Sequence, residues 1–322
     1  MPRLKTVFMG SDPIVLPLLA AVLASPEMEL CVVFAQPDRP HGRGMKMMEN
    51  PVKAWAAAHG IAVRQPEKPT ADDAAFLRET GCDLLLVMAY GHLLKNDILS
   101  APRLPPLNFH ASLLPELRGA SPIETAIATG RSETGVSLMK IVKKMDAGAV
   151  ADVEKVPVSP DDDRASLAEK LGAACPKLLA RALPKLLGGG LDFAEQDESK
   201  VSFCRIMDKD DSNLDFSASA SELACRSRAL KVWPGTAFDY AGSRIRIGAA
   251  LALDETTGAA PGTVLAARKT LDIATGNGTF RILSMQRPGG KMLPTHEFLN
   301  GLKIAPGELL ASRPMAPLER RQ

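Results

Sequence analysis

The sequence predicts an α/β protein with a parallel sheet in its first half and a smaller β-rich domain after it. Two observations carry this. Apolar strand-like runs alternate with helical segments over the first half, and short β-type runs parted by Gly-containing turns follow Arg228. A length of 322 residues accommodates two domains at roughly 100–200 residues each.

Thr6-Val7-Phe8-Met9 reads as the first strand and Gly10 to Pro13 as a turn. A helix follows, with Pro13 suited to its first turn and Val15, Leu18, Leu19, Val22 and Leu23 at helical spacing. Leu30 to Ala35 is a second strand, Asn50–His59 and Asp72–Thr80 are helical, and Asp83–Met88 is a third buried strand. The order is Rossmann-like, and such sheets place ligands beyond the carboxyl ends of their strands. The first turn is Gly10-Ser11-Asp12-Pro13, not Gly-x-Gly-x-x-Gly, which argues against a nicotinamide oxidoreductase. Ser166–Leu187 has a leucine face, but Pro176 and Pro184 predict a kink or two shorter helices. Gly188-Gly189-Gly190 ends it, and the polar stretch Gln196–Asp211 reads as linker. After a helix near Ser221–Leu230, the runs Arg244–Ile247, Leu271–Ala274 and Phe280–Leu283 predict a small OB-like β-barrel. The expected division is 1–190, a linker at 191–211, and 212–322.

Composition narrows the class. Apolar residues make up 46% and charged residues 24%, ordinary for a globular protein. Net charge is +2, so the whole chain is no polybasic nucleic-acid binder. Residues 205–322 nonetheless carry 16 Lys and Arg against 12 Asp and Glu, a mildly basic surface able to meet phosphates. Five cysteines without CxxC spacing exclude a disulfide framework or zinc knuckle and suit a reducing compartment. The N-terminal apolar stretch breaks at Gly10, and no run reaches the roughly 18 apolar residues of a membrane span. A cytoplasmic, monomeric protein without a membrane association is expected.

The chemistry concentrates at Leu107-Asn108-Phe109-His110. A two-residue period puts Asn108 and His110 on one face of a strand and Leu107 and Phe109 on the other. An amide beside an imidazole at a strand end suits stabilisation of an oxyanion. Ser112-Leu113-Leu114-Pro115-x-x-Arg118-Gly119 follows, and 36 residues after His110 comes Asp146 within Lys144-Met145-Asp146-Ala147-Gly148. A carboxylate there would hold the imidazole in one orientation and favour its charged form. A turn-capping role is the competing reading of Asp146. No metal is needed for this chemistry, and no metal-ligand spacing is present.

Asn-x-His, then Ser-Leu-Leu-Pro-x-x-Arg-Gly, then a distant Asp-x-Gly resembles the signature of the 10-formyltetrahydrofolate-dependent formyltransferases. The resemblance implies that Asn108, His110 and Asp146 are the catalytic triad. It implies a folate co-substrate near Val87, Met88, Ala89, Tyr90 and Gly91 and along Ser112, Leu113, Leu114 and Pro115. Three stretches are similar to the members that formylate methionine on initiator tRNA. They are Gln36–Gly44 with Asn50-Pro51-Val52-Lys53, then Lys231–Gly235, then Met285–Lys291 with Phe298–Gly301 and Ala305–Gly307. In those members the first of these loops contacts the acceptor arm, which implies a tRNA-binding role for Arg39, Arg43 and Lys46, and the β-rich domain is tRNA-binding. A basic, Pro- and Gly-rich loop suits that task on physical grounds, reading as neither helix nor strand and free to order on a phosphate backbone. An aromatic content of 4% leaves base stacking a minor contribution. Another small amine, such as a UDP-amino sugar, is the rival acceptor, and a non-catalytic tRNA or folate binder the rival class.

The chain departs from the family pattern at Glu116-Leu117, usually a basic residue then an aromatic one. It also departs at Ala147, Ala149, Glu124 and Met47-Met48-Glu49. Glu116 would repel a nearby phosphate unless it pairs with Arg118.

Overall fold

The computed structural model describes residues 3–41, 45–255 and 257–321. The chain opens with β1 (Leu4–Met9), a 3-10 turn at Pro13–Val15, α1 (Leu16–Ala24) and β2 (Met28–Phe34). A short hairpin of β3 (Arg39–His41) and β4 (Lys46–Met48) leads to α2 (Pro51–Ala58), β5 (Ala62–Arg64), α3 (Ala71–Glu79) and β6 (Leu84–Val87). Then come α4 (Asn96–Leu99), β7 (Leu107–His110), β8 (Arg118–Gly119), α5 (Pro122–Ala128), β9 (Glu133–Lys140), β10 (Val150–Pro157) and α6 (Arg164–Leu187).

Seven strands form the main sheet in the order β10-β9-β7-β6-β1-β2-β5. The five from β7 to β5 run parallel, and β9 and β10 extend the sheet antiparallel. Both faces are covered. Phe8, Leu86, Leu107, Phe109 and Leu138 pack with α1 and α6 on one face, and Val7, Met9, Leu85 and Val87 pack with α3 on the other. From β1 the chain builds outward to β2 and β5, then crosses back to add β6 and β7. The strand order therefore switches between β1 and β6, where α/β sheets open a crevice for ligands.

Caps explain several element starts. Asn50 accepts from the N–H groups of Val52 and Lys53 and Pro51 is the first residue of α2; Asp163 accepts from Ala165 and Ser166 at the start of α6. α6 corrects the expected kink or break: it is one helix of 24 residues with Pro176 and Pro184 inside it. Leu167, Leu171, Cys175, Leu178, Leu179 and Ala182 are buried along it. That packing outweighs the roughly 3 kcal/mol cost of an interior proline. Within the stretch 36–51, read as neither helix nor strand, Arg39, Pro40 and His41 pair as a short strand with Met48, Met47 and Lys46.

The stretch read as a linker carries structure of its own. β11 (Ser202–Cys204) lies between β8 and β18 (Glu319–Arg321), the last strand of the chain. Between them come α7 (Ala220–Ala229), β12 (Ala237–Tyr240), β13 (Ser243–Leu253), β14 (Val264–Ala267), β15 (Leu271–Ala274), β16 (Thr279–Gln286), β17 (Leu293–Pro294) and α8 (Thr295–Gly301). The antiparallel sheet β12-β13-β16-β15-β14, with β17 on β16, encloses Phe238, Ile245, Ile247, Phe280 and Ile282 beneath Leu223 of α7. It is a half-barrel, since β12 and β14 do not pair among the described residues. Among those residues no helix is long and apolar enough to cross a membrane.

Candidate active site

Strand β7 presents the amide and imidazole. Asn108 is registered between Val87 of β6 and Met139 of β9, and His110 pairs with Ser137. Leu107 and Phe109 are buried in the core, so the alternation turns Asn108 and His110 to the opposite face. Asn108 is half-buried and His110 is 6% exposed.

Asp146 reaches this face from the turn after β9. Its Oδ2 accepts from the Gly119 N–H at 2.8 Å and lies 3.8 Å from Nδ1 of His110. The carboxylate therefore spans two segments far apart in sequence instead of merely capping its own turn. The other ring nitrogen, Nε2, donates to the Leu117 carbonyl at 2.9 Å. Both ring nitrogens thus face acceptors. Asp146 and Leu117 are non-glycine residues at φ +49° and +56°, conformations that persist only where the surroundings over-determine them.

The surroundings of the Ser112–Gly119 loop do this. Ser112 Oγ donates to the Glu116 carbonyl at 2.6 Å, and Ser137 Oγ donates to the Ser112 carbonyl at 2.7 Å while accepting from the Leu114 N–H at 3.0 Å. Ser202 of β11 accepts from the Leu117 N–H at 3.0 Å. Gly119, at φ +116°, runs so close to β11 that a Cβ would come within 2.2 Å of the Cys204 carbonyl oxygen. A cavity of about 300 Å³ follows the loop, lined by Ser112 to Leu117 with Arg131, Glu133 and Thr134.

Glu116 does not pair with Arg118. It pairs with Arg131, which also bonds Glu319 of β18 at 2.9 Å. Arg118 is fully buried and turns the other way, to Gln196 and Glu198. Another departure, Glu124, faces Arg164 at 3.3 Å.

Residues 87–91 leave β6 next to β7. Val87, Met88 and Tyr90 are buried, whereas Ala89 and Gly91 reach the surface. Ser11 donates to the Ala89 carbonyl and Gln36 Nε2 to the Tyr90 carbonyl, tying the segment to the ends of β1 and β2. The two stretches implied for folate thus emerge from adjacent strands, but residues 87–91 do not line the cavity along Ser112–Pro115.

On the hairpin, Arg39 bonds Glu67 at 2.5 Å with both side chains solvent-exposed, and Lys46 is exposed. Arg43 lies outside the described residues. The root of the hairpin is tied by Asp38, which accepts from Lys53 Nζ at 2.6 Å, Gln65 Nε2 at 3.0 Å and the Asn50 N–H at 3.0 Å. Lys53 above all, with the other two donors, holds the Asp38 carboxyl down at about 2. The residues that brace the site, Ser137, Gln196, Glu198 and Ser202, belong to no motif in the sequence.

At the carboxyl end of β7, Asn108 and His110 share one face and Asp146 faces the imidazole, an arrangement chemically suited to acyl transfer, while the cavity lies along the adjoining Ser112–Leu117 loop. The family described as formyl transferase matches residues 6–183, and the family of its C-terminal domain matches residues 206–303. The chain belongs to the formyl transferase family. It is 38% identical over 303 residues to the methionyl-tRNA formyltransferase of Methylococcus capsulatus, covering 94% of this chain and 98% of that one. With the methionyl-tRNA formyltransferase of Parvibaculum lavamentivorans it shares 38% identity over 312 residues, covering 96% and 100%. Among solved structures, the N-formyltransferase from Helicobacter canadensis, complexed with folinic acid and dTDP-3-aminofucose, superposes with a TM-score of 0.65. That match has 16% identity and covers 87% of this chain and 98% of the other. HypX from Aquifex aeolicus, in complex with tetrahydrofolic acid, gives 0.59 at 17% identity over 96% of this chain and 50% of HypX. At such identities the structures share the fold.

Proposed function

We propose that this chain transfers the formyl group of 10-formyltetrahydrofolate to the free α-amino group of methionine esterified to initiator tRNA, acting as a cytoplasmic monomer in translation initiation. The observation that carries the reading is the end-to-end match to the Parvibaculum lavamentivorans methionyl-tRNA formyltransferase, 96% of this chain against 100% of that one. A relative that shares only the sheet domain would leave the half-barrel unexplained.

The amine, neutral after loss of its proton, attacks the formyl carbon. The N–C bond to methionine forms, the bond from the formyl carbon to the folate nitrogen breaks, and the second proton, shed by the amine nitrogen on attack, passes to the folate nitrogen. In between, the formyl oxygen carries negative charge. The Asn108 amide donates to it. His110 donates through a ring N–H once the Leu117 carbonyl, which now holds Nε2 at 2.9 Å, gives way to the formyl oxygen. Asp146 keeps the ring in orientation and balances its positive charge as a proton moves through it. The cavity along Ser112–Pro115 suits the folate ring system, and the tied segment 87–91, which does not line that cavity, leaves the adjacent strand β6.

The test incubates the purified protein with 10-formyltetrahydrofolate and methionyl-initiator tRNA, with a UDP-amino sugar as the alternative acceptor. Formylated methionyl-tRNA is the expected product. Formylation of the sugar alone, or of neither acceptor, refutes the proposal.

A further inference from the structure

We infer that Gln196 is a positioning residue for formyl transfer, its side-chain amide fixing the backbone from which Asp146 reaches His110. The inference rests on the reading of Asp146 as the partner of His110.

Gln196 lies between the two domains, two residues beyond the bridge that ties Ala194 to Val150. Its Nε2 donates to the carbonyl of Asp146 at 2.8 Å and to that of Gly148 at 2.7 Å. Its Oε1 accepts from Nε and Nη2 of Arg118 at 3.0 and 2.9 Å. Two donated and two accepted bonds use the whole capacity of a primary amide. The nitrogen side grips the Asp146 turn and the oxygen side grips strand β8, whose next residue, Gly119, donates to the Asp146 carboxylate. One side chain thus fixes both ends of the contact that aims Asp146.

Both partners require such a hold. Asp146 has a left-handed backbone without being glycine, which its own chain does not favour. Gly148 presses on β9 so closely that a Cβ would come within 1.8 Å of the Lys140 carbonyl oxygen. The turn is therefore pinned at Gly148 and held at Asp146 by the same amide. Arg118, fully buried, needs acceptors for its N–H groups. Gln196 supplies one and Glu198 Oε1, at 2.8 Å from Nη2, another. A carboxylate at 196 would serve Arg118 equally well but would offer nothing to the two carbonyls, so the amide is the group the geometry demands.

The His110–Asp146 separation of 3.8 Å must close by about 1 Å to become a hydrogen bond. A displacement of that size away from the reacting geometry can cost about a hundredfold in rate. Gln196 acts through Asp146 and touches neither substrate nor imidazole.

The experiment compares the full-length wild type with Gln196→Glu, Gln196→Ala, Asp146→Asn and the double variant Q196E/D146N. Turnover is followed with 10-formyltetrahydrofolate and methionyl-initiator tRNA, and folding by circular dichroism. Gln196→Glu keeps an acceptor for Arg118 and so keeps the fold. It is expected to lose about 10–100-fold in kcat, with both KM values within about twofold of wild type. In the Asp146→Asn background the same change is expected to cost nothing further, because the group it positions is already gone. Wild-type kcat in Q196E, or losses that multiply in the double variant, overturn the inference while leaving the triad intact. Wild-type kcat in Asp146→Asn overturns the triad reading itself, and this inference with it.

Discussion

The Asp146 carboxylate uses a single oxygen, Oδ2, to accept from the Gly119 N–H at 2.8 Å and to face Nδ1 of His110 at 3.8 Å. The shorter contact anchors the group, and the longer one is left to tighten when substrate arrives, as unliganded catalytic contacts often are. Asp146→Ala removes both, and Asn108→Ala removes the amide donor beside them. Each is expected to lower kcat about a hundred- to a thousandfold, Asn108→Ala with a thermal midpoint close to wild type and Asp146→Ala with a lower one because the Gly119 N–H loses its acceptor. Steady-state rates on purified, folded variants check this, and an active Asn108→Ala variant would remove the amide from the mechanism.

The strand that carries these groups was legible because its information is local. Leu107 and Phe109 alternate with Asn108 and His110, and the period of two assigns faces without any tertiary knowledge. The bracing was not legible. Gln196 is 50 residues from Asp146 and 78 from Arg118, and no spacing rule links a polar residue to partners that distant. The partner of Glu116 was not legible for the same reason: Arg118 is near in sequence, but β8 turns it inward to Gln196, leaving Arg131 to meet Glu116. α6 failed differently. Its prolines obey a local rule that a buried face of leucines overrides.

The hairpin offers its positive charge to solvent. Lys46 is exposed, and the bond of Arg39 to Glu67 is a surface pair that contributes little and yields to a phosphate. Arg39→Ala and Lys46→Ala are expected to raise the KM for methionyl-tRNA several-fold and to leave the KM for 10-formyltetrahydrofolate unchanged. Lowering two phosphate contacts also flattens the dependence of tRNA binding on salt. Equal salt slopes for wild type and the double variant would dismiss the hairpin as a tRNA contact.

Asp38 ties the stability of the hairpin root to pH. Its folded carboxyl is held at about 2, below its ordinary value, chiefly by Lys53. A depressed carboxyl contributes stability that is fully present above its unfolded value and is lost as pH falls through the folded one. The urea midpoints of wild type and Asp38→Asn should therefore differ by a constant amount above about pH 4, near the ordinary aspartate value. The gap should narrow between there and pH 2. A gap that persists unchanged to pH 2 contradicts the role given to the charge.

Burial protects the thiol beside the site. The Cys204 thiol, on β11 against Leu117 and Arg118, is pushed up to about 12 by desolvation, and Cys82 and Cys175 are likewise raised to about 12. Thiolate is the reactive form, so iodoacetamide at pH 8 is expected to leave all three unmodified in the native protein and to label them after denaturation. The partly exposed Cys31 should react before them. Peptide mass spectrometry reads the outcome, and early labelling of Cys204 would mean that β11 parts from β8 in the native state.

Arg131 gives the departure at Glu116 its physical sense. Its guanidinium joins Glu116 of the Ser112–Gly119 loop to Glu319 of the last strand, so one cation serves two carboxylates, the farther of them 188 residues along the chain from Arg131. Replacing Glu116 by lysine brings the position closer to the usual family pattern, yet here it sets two cations against each other beside the cavity. Glu116 is partly exposed, which screens the effect, so the expected loss is about 1 kcal/mol of stability with a raised KM for 10-formyltetrahydrofolate. Adding Arg131→Glu to Glu116→Lys restores that pair but leaves Glu319 facing a like charge, and only partial recovery is expected. A Glu116→Lys variant as stable as wild type, or full recovery in the double variant, would show that the three side chains do not act as one unit.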